Sequence, residues 1–274
     1  MPIDLDVVID TPDYEVDMKS GLETLRGASD ATRCITETVL TKKVPKRQRS
    51  KDRVRTILKK SFKGSYGQVF GIEILDDKLQ AKYNDIGNPV FSELLSYFMR
   101  EALYLEARNL SPSAQDIIDD LGVVAEELLE QLRVSSMENI HKVSTKFGHD
   151  VKIRYRRAIG ERVIIARFNS ETSLVLQAKA SDEKVDITAS ITRLNINTGN
   201  GRLLIEGEEK TIAFGFGIGY HDVAVEAKKL FSENLNHNNG LENRNWKHLR
   251  LIAKPISLAS GKVVKYIITG YHSD

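Results

Sequence analysis

The chain has 274 residues and a formal net charge of +2, with 41% hydrophobic and 28% charged residues. These values indicate a globular protein with one or two domains, and we expect two. The single cysteine, Cys34, excludes an internal disulfide and a cysteine-based zinc site. No apolar run approaches the roughly 18 residues of a membrane span, and the acidic opening is unlike a secretory signal. We therefore expect a cytoplasmic protein, bacterial or phage in type, without a membrane partner.

The first part of the chain alternates strand and helix patterns. Alternating apolar residues predict a short strand at 5–9. A stripe of apolar residues at three- and four-residue steps then predicts an amphipathic helix over 20–40, with Ser20 in a capping box at its start. After a basic loop, strands predicted at 54–58 and 66–74 form a hairpin.

Three further helices are predicted, at 88–105, 111–132 and 135–147. The first two open on an Asn-Pro and a Ser-Pro pair, which supply a capping side chain and a proline in the first turn. The third opens on a serine with a glutamate three residues later, another capping pair.

From Val151 onward, short segments rich in β-branched residues replace the helical patterns. They predict strands at 151–157, 162–168, 173–180, 184–194, 202–206, 210–216, 246–254 and 262–270, interrupted by a helix at 221–234. Many short strands favour a small closed barrel, because closure removes exposed edges. We expect an α+β fold in which residues 1–150 form a helix-rich domain with a β-hairpin and a basic loop, and residues 151–274 form a small antiparallel β-barrel with one inserted helix.

Charge is strongly segregated near the start of the chain. Residues 1–30 carry eight acidic and two basic side chains, a net of −6, whereas residues 42–63 carry eleven Lys or Arg against Asp52, a net of +10. Clustered cations concentrate polyanions, and arginine forks and lysine point charges both suit phosphates. We expect nucleic acid to be the partner, bound by phosphate contacts and by stacking on exposed rings among Phe62, Tyr66 and Phe70. The candidate residues in this segment are Lys42, Lys43, Lys46, Arg47, Arg49, Lys51, Arg53, Arg55, Lys59, Lys60, Lys63 and Tyr66.

Two other interpretations of the basic segment stay open: it pairs with the acidic N-terminus, or it is a plain solvated loop. A magnesium site built from Asp4, Asp6, Asp10 and Asp13 is disfavoured, because alternation in this stretch is ordinary for a half-buried strand. The six histidines and Cys34 show no metal-ligand spacing. We expect no metal and no cofactor.

Two turns of the second half are secondary candidates. Arg193 and Arg202 flank an Asn- and Gly-rich turn, and loops of small barrels frequently contact nucleic acid. Glycines at 215, 217 and 219 precede the predicted helix at 221–234, where backbone amides suit a phosphate, although a bend in the barrel explains them better. No catalytic motif is visible, so we expect a binding protein rather than an enzyme.

The stretches Ile191–Arg202 and Phe62–Ser65, with the overall layout, resemble uncharacterised bacterial proteins, some encoded near mobile-element or anti-phage defence genes. The second half also resembles an OB or Sm-type barrel in strand count. The resemblance implies a subunit of a bacterial defence or mobile-element complex that binds nucleic acid. The alternatives are an oligomerisation or protein-interaction module, forming a homo-oligomer or a protein complex, and a sensor of a nucleotide signal.

Overall fold

The structure, a computed structural model, describes residues 2–45, 53–62, 66–107, 110–158 and 160–272. The chain divides into two compact units, Met1–Leu176 and Gln177–Asp274. The boundary therefore lies after Leu176 and not near 150. The physical reason is that the strand at 151–158 pairs with the first strand of the chain, and the strand at 161–168 pairs with the strand at 151–158, so that neither belongs to the barrel.

The first unit contains a five-stranded antiparallel sheet in the order β2-β3-β1-β4-β5. Its strands are β1 (Asp4–Ile9), β2 (Val54–Phe62), β3 (Tyr66–Ile74), β4 (Val151–Ala158) and β5 (Glu161–Phe168). The two edge strands are β2 and β5, and β1 lies at the centre between β3 and β4. The first strand of the unit, β1, thus pairs with β4, which lies near the end of the unit in sequence.

Helices pack on one face of this sheet. They are α1 (Met18–Thr41), α2 (Asp77–Ile86), α3 (Asn88–Glu101), α4 (Pro112–Leu121), α5 (Val123–Gln131), α6 (Met137–Ile140), α7 (Lys142–Phe147) and α8 (Ser170–Leu174). Asp17, and not Ser20, caps α1, because its carboxylate accepts the Ser20 amide at 2.8 Å. The helix expected over 111–132 is divided at Gly122, whose φ of 52° ends α4.

The two faces of the sheet differ because side chains alternate along each strand. Leu5, Val7 and Ile9 of β1 are fully or almost fully buried in the core beneath the helices. We call the opposite side the open face. Cross-strand pairing and alternation assign to it Asp4, Asp6, Val8, Gly67, Val69, Gly71, Lys152, Arg154 and Arg156.

The second unit is a small closed barrel. Its elements are β6 (Lys179–Ala180), β7 (Val185–Leu194), β8 (Gly201–Ile205), β9 (Ile212–Phe216), α9 (Val225–Asn238), β10 (Leu249–Ser257) and β11 (Val263–Tyr271). Five strands follow the order β11-β9-β8-β7-β10, and pairing of β10 with β11 closes the ring. The barrel is not purely antiparallel as expected, because β9 and β11 run parallel.

The α+β class and the small barrel are confirmed, with two corrections to the strands. The segments near 151–157 and 162–168 belong to the first sheet. The segment expected as a strand at 173–180 is largely helical and contributes only the two-residue β6. Among the helices of the described residues, none has the length and apolar character to cross a bilayer.

Candidate polyanion-binding site

Three arginines converge on one carboxylate at the centre of the open face. Arg154 Nη2 lies 3.0 Å from Asp6 Oδ2, Arg156 Nε lies 3.2 Å from Asp6 Oδ1, and Arg162 Nε lies 3.4 Å from Oδ2. The Asp6 side chain has no exposed surface, whereas 21–26% of each arginine side chain remains exposed. We call these four residues the arginine cluster.

The arginine cluster carries an excess of positive charge. A buried carboxylate needs partners that replace its lost hydration. Arg154 donates a hydrogen bond to Asp6 Oδ2, whereas Asp6 Oδ1 has only the ion pair with Arg156 and no hydrogen bond from the described residues. One carboxylate against three guanidinium groups still leaves two positive charges. Each guanidinium has about five N–H donors, so the three guanidinium groups together have more donors than one carboxylate can accept. The Nε atom of Arg154 is buried and has no hydrogen-bond partner among the described residues.

Phe62, the last residue of β2, lies beside the arginine cluster. Its ring covers Gly67 of β3, so that a Cβ built at Gly67 would stand 2.4 Å from two ring atoms. The guanidinium carbons of Arg154 and Arg156 each lie 5.7 Å from the centre of the ring. The ring is half-buried. An aromatic surface and a cationic cluster are therefore adjacent on the open face.

Two single ion pairs flank the arginine cluster. Lys152 contacts Asp10, and Lys59 contacts Asp4. Arg167 of β5 lies opposite Lys152 and is exposed. The open face is thus more basic than acidic, although the aspartates of β1 lie on it.

The basic segment found in the sequence is only partly described. Lys46, Arg47, Arg49, Lys51 and Lys63 lie outside the described residues. Lys43 and Lys60 are exposed. The other cations of this segment form exposed ion pairs: Lys42 with Asp120, Arg53 with Asp76, Arg55 with Glu73 and Lys59 with Asp4. Exposed pairs stabilise by only about 0–1 kcal/mol, so a phosphate can take the place of such a carboxylate at little cost.

Two aromatic rings and one arginine that the sequence predicts at the surface are buried or partly buried in the structure. Tyr66 packs half-buried against the core on the helix-covered face, and Phe70 is buried there. Arg202 is only 3% exposed, and its guanidinium donates to the side chain and the carbonyl of Thr211 at 2.8 and 3.0 Å. The guanidinium of Arg202 is therefore turned into the protein, whereas Tyr66 keeps part of its surface exposed. Arg193 is half-buried.

The glycine-rich loop has poor geometry for a phosphate. A short 3₁₀ turn, Tyr220–Asp222, separates it from α9, which begins only at Val225. The adjoining cavity of about 280 Å³ is lined mainly by apolar side chains, among them Phe216 and Phe231. The described residues contain no group of His, Cys, Asp or Glu side chains that fits a metal ion.

The arginine cluster was missed in the sequence, although a signal was present. Lys152, Arg154 and Arg156 alternate along β4 as the aspartates alternate along β1, which places each set on one face. Pairing of β1 with β4 was the missing information. Comparison of the chain with protein-family models, with curated proteins and with solved structures finds no match.

Proposed function

We propose that this protein binds nucleic acid through the open face of its first unit, by contacts to phosphate. The observation that carries the proposal is the arginine cluster, in which three arginines share one fully buried carboxylate. The exposed parts of these arginines retain donors and charge for an anion. Lys59 and Lys60 of β2 add positive charge to the same face.

The chemistry of the arginine cluster favours binding of phosphate over a role as ordinary surface charge. A guanidinium presents parallel N–H groups that match two phosphate oxygens. Asp6 orders the three guanidinium groups before any ligand arrives, so little side-chain entropy is lost on binding. Phosphate contacts release counterions, and the affinity therefore falls as salt rises.

The barrel adds a second argument for nucleic acid. Among the five strands of the barrel, the third and fifth (β9 and β11) pair in parallel. The helix α9 follows the third strand and precedes the fourth along the chain. This connectivity is that of the OB-fold, whose second and third strands and neighbouring loops commonly bind oligonucleotides. We infer an OB-like barrel that provides a further contact surface, without Arg202 as a contact.

The test is binding of a short fluorescent oligonucleotide at moderate salt, followed by anisotropy. Arg156→Gln removes one arm of the arginine cluster while two arginines still neutralise Asp6. Arg157→Gln is the matched control, because Arg157 is the next residue, is exposed and pairs with Glu161 at 3.3 Å outside the cluster. We expect weaker binding for Arg156→Gln alone. Equal affinity of both variants and the wild type would overturn the proposal.

Exposed apolar side chains at the start of α1 favour a second candidate function, assembly with another protein. Met18 and Leu22 are exposed four residues apart in α1, and Tyr14 is exposed before the helix. Larger exposed apolar patches often mark interaction sites. Light scattering of the wild type and of a Met18→Glu, Leu22→Glu variant tests this function: a monomer in both cases argues against self-assembly through these side chains.

A further inference from the structure

We propose that the open face selects single-stranded over double-stranded nucleic acid, because the Phe62 ring stacks on an unpaired base while Arg154 and Arg156 hold the neighbouring phosphate. The inference rests on the proposed function and names its substrate class. It is carried by the position of the ring, which the phosphate contacts alone do not require.

Phe62 is the ring near the basic segment that lies on the cationic side of the sheet. Tyr66 and Phe70 share that stretch of sequence but point into the helix-covered face. Phe62 pairs with Gly67, which in turn pairs with Val8 of the open face. The strand pairing therefore assigns stacking to one of the three rings.

Glycines on β3 shape the floor under this ring. Gly67 leaves the space that the Phe62 ring occupies, and Gly71, two pairs further along the open face, leaves space for the Lys59 side chain. The Phe62 and Lys59 side chains of the edge strand β2 thus lie over these two glycines of β3.

The spacing around the ring suits a nucleotide whose base is free. The guanidinium carbons of Arg154 and Arg156 lie over the Phe62 ring, 5.7 Å from its centre, and the ring is half-buried. A base that stacks on the exposed part of the ring lies next to both guanidinium groups, so its own sugar and phosphate come within reach of the arginines. In a duplex the bases are paired and stacked on each other, so the ring has no base face to contact. Base stacking on aromatic side chains tolerates every base, so we expect weak sequence preference.

The experiment compares a short single strand with its own duplex, at one salt concentration, for a set of Phe62 variants. Phe62→Leu removes the aromatic surface and keeps an apolar side chain, whereas Phe62→Trp keeps a ring. Phe147→Leu is the control, since Phe147 is an exposed ring in the same unit beside His149. We expect Phe62→Leu to lower single-strand affinity about tenfold, with duplex affinity unchanged, and Phe62→Trp to restore it.

A second variant moves the ring without removing it. Gly67→Ala adds a methyl group where the ring lies, so we expect it to displace Phe62 and to weaken single-strand binding as Phe62→Leu does. Urea unfolding curves show whether each variant is folded at the assay temperature. Gly67→Ala that leaves single-strand affinity at the wild-type value argues against the stacking role.

The failures of the two proposals are distinguishable. If the wild type binds single strand and duplex equally and Phe62→Leu weakens neither, the single-strand inference is wrong while phosphate binding stands. If the wild type binds neither form at low salt, the proposed function is wrong and the inference fails with it.

Discussion

Lys152 of β4 forms an ion pair with Asp10 on the same side of the sheet as the contact between Arg154 and Asp6, two residues further along β4. The acids of the N-terminus therefore find most of their partners on β4 and β5. Lys59 with Asp4 is the one ion pair, among the described residues, that joins them to the segment at 42–63. Of the other described cations of that segment, Lys42, Arg53 and Arg55 pair with acids outside residues 1–30, and Lys43 and Lys60 are exposed.

Asp6 is expected to be essential for the stability of the first unit. Asp6→Asn leaves three guanidinium groups crowded around a neutral amide, and breaking a buried ion pair typically costs about 3 kcal/mol or more. Urea unfolding measures the loss. Asp4→Asn is the control, because the Asp4 pair with Lys59 is exposed and contributes at most about 1 kcal/mol. Losses of equal size in the two variants would contradict the burial of Asp6.

Arg202 is expected to act in the structure of the barrel and not in binding. Arg202→Gln loses the buried hydrogen bonds to Thr211, at a cost of about 1–3 kcal/mol in the free energy of unfolding. Its oligonucleotide affinity should match that of the wild type at temperatures where both are folded. Arg244→Gln, at an exposed ion pair with Glu242, serves as the control for stability. A variant of Arg202 that is stable but binds weakly falsifies this assignment.

His141 is expected to make stability depend on pH. Its Nδ1 donates to the Met137 carbonyl at 2.7 Å and its Nε2 accepts from the Thr172 hydroxyl at 2.8 Å, and burial lowers the pKa of the ring. In the unfolded chain His141 binds a proton near pH 6.5, whereas burial disfavours the protonated ring in the folded state. The contribution of the neutral ring to the free energy of unfolding is therefore fully present above about pH 6.5 and is lost as the pH falls. The loss reaches at most about 1.4 kcal/mol per pH unit.

Urea unfolding of the wild type and of His141→Gln, at about pH 7.5 and about pH 5.5, measures this dependence. The variant is expected to be less stable at both values but to lose less stability between them. His149→Gln, at a neighbouring histidine, is the control and should keep the dependence of the wild type. An equal loss in wild type and His141→Gln excludes His141 as its source.

Local patterns predicted most elements of this fold. The strand expected at 5–9 is observed as β1, the helix at 20–40 as α1, and the turn rich in Asn and Gly joins β7 to β8. Each of these is specified by residues close in sequence, through alternation, apolar stripes and turn residues.

Local patterns of this kind could not predict the arginine cluster. It joins Asp6 and Arg154, which are 148 positions apart in the sequence. Alternation states which residues share a face but not which strand lies beside which, so β4 and β5 were given to the barrel. The same missing information displaced the boundary between the units from Leu176 to residue 150.

The salt dependence of oligonucleotide binding tests the central claim most directly. We would measure the dissociation constant of a short single strand from low to moderate salt for the wild type, Arg156→Gln and Arg157→Gln. The account predicts a steep fall of affinity with salt in the wild type, a slope of log K against log salt that is shallower by about 0.7 in Arg156→Gln, and no change in Arg157→Gln. A flat wild-type response, or the same slope in all three proteins, would contradict phosphate binding by the arginine cluster.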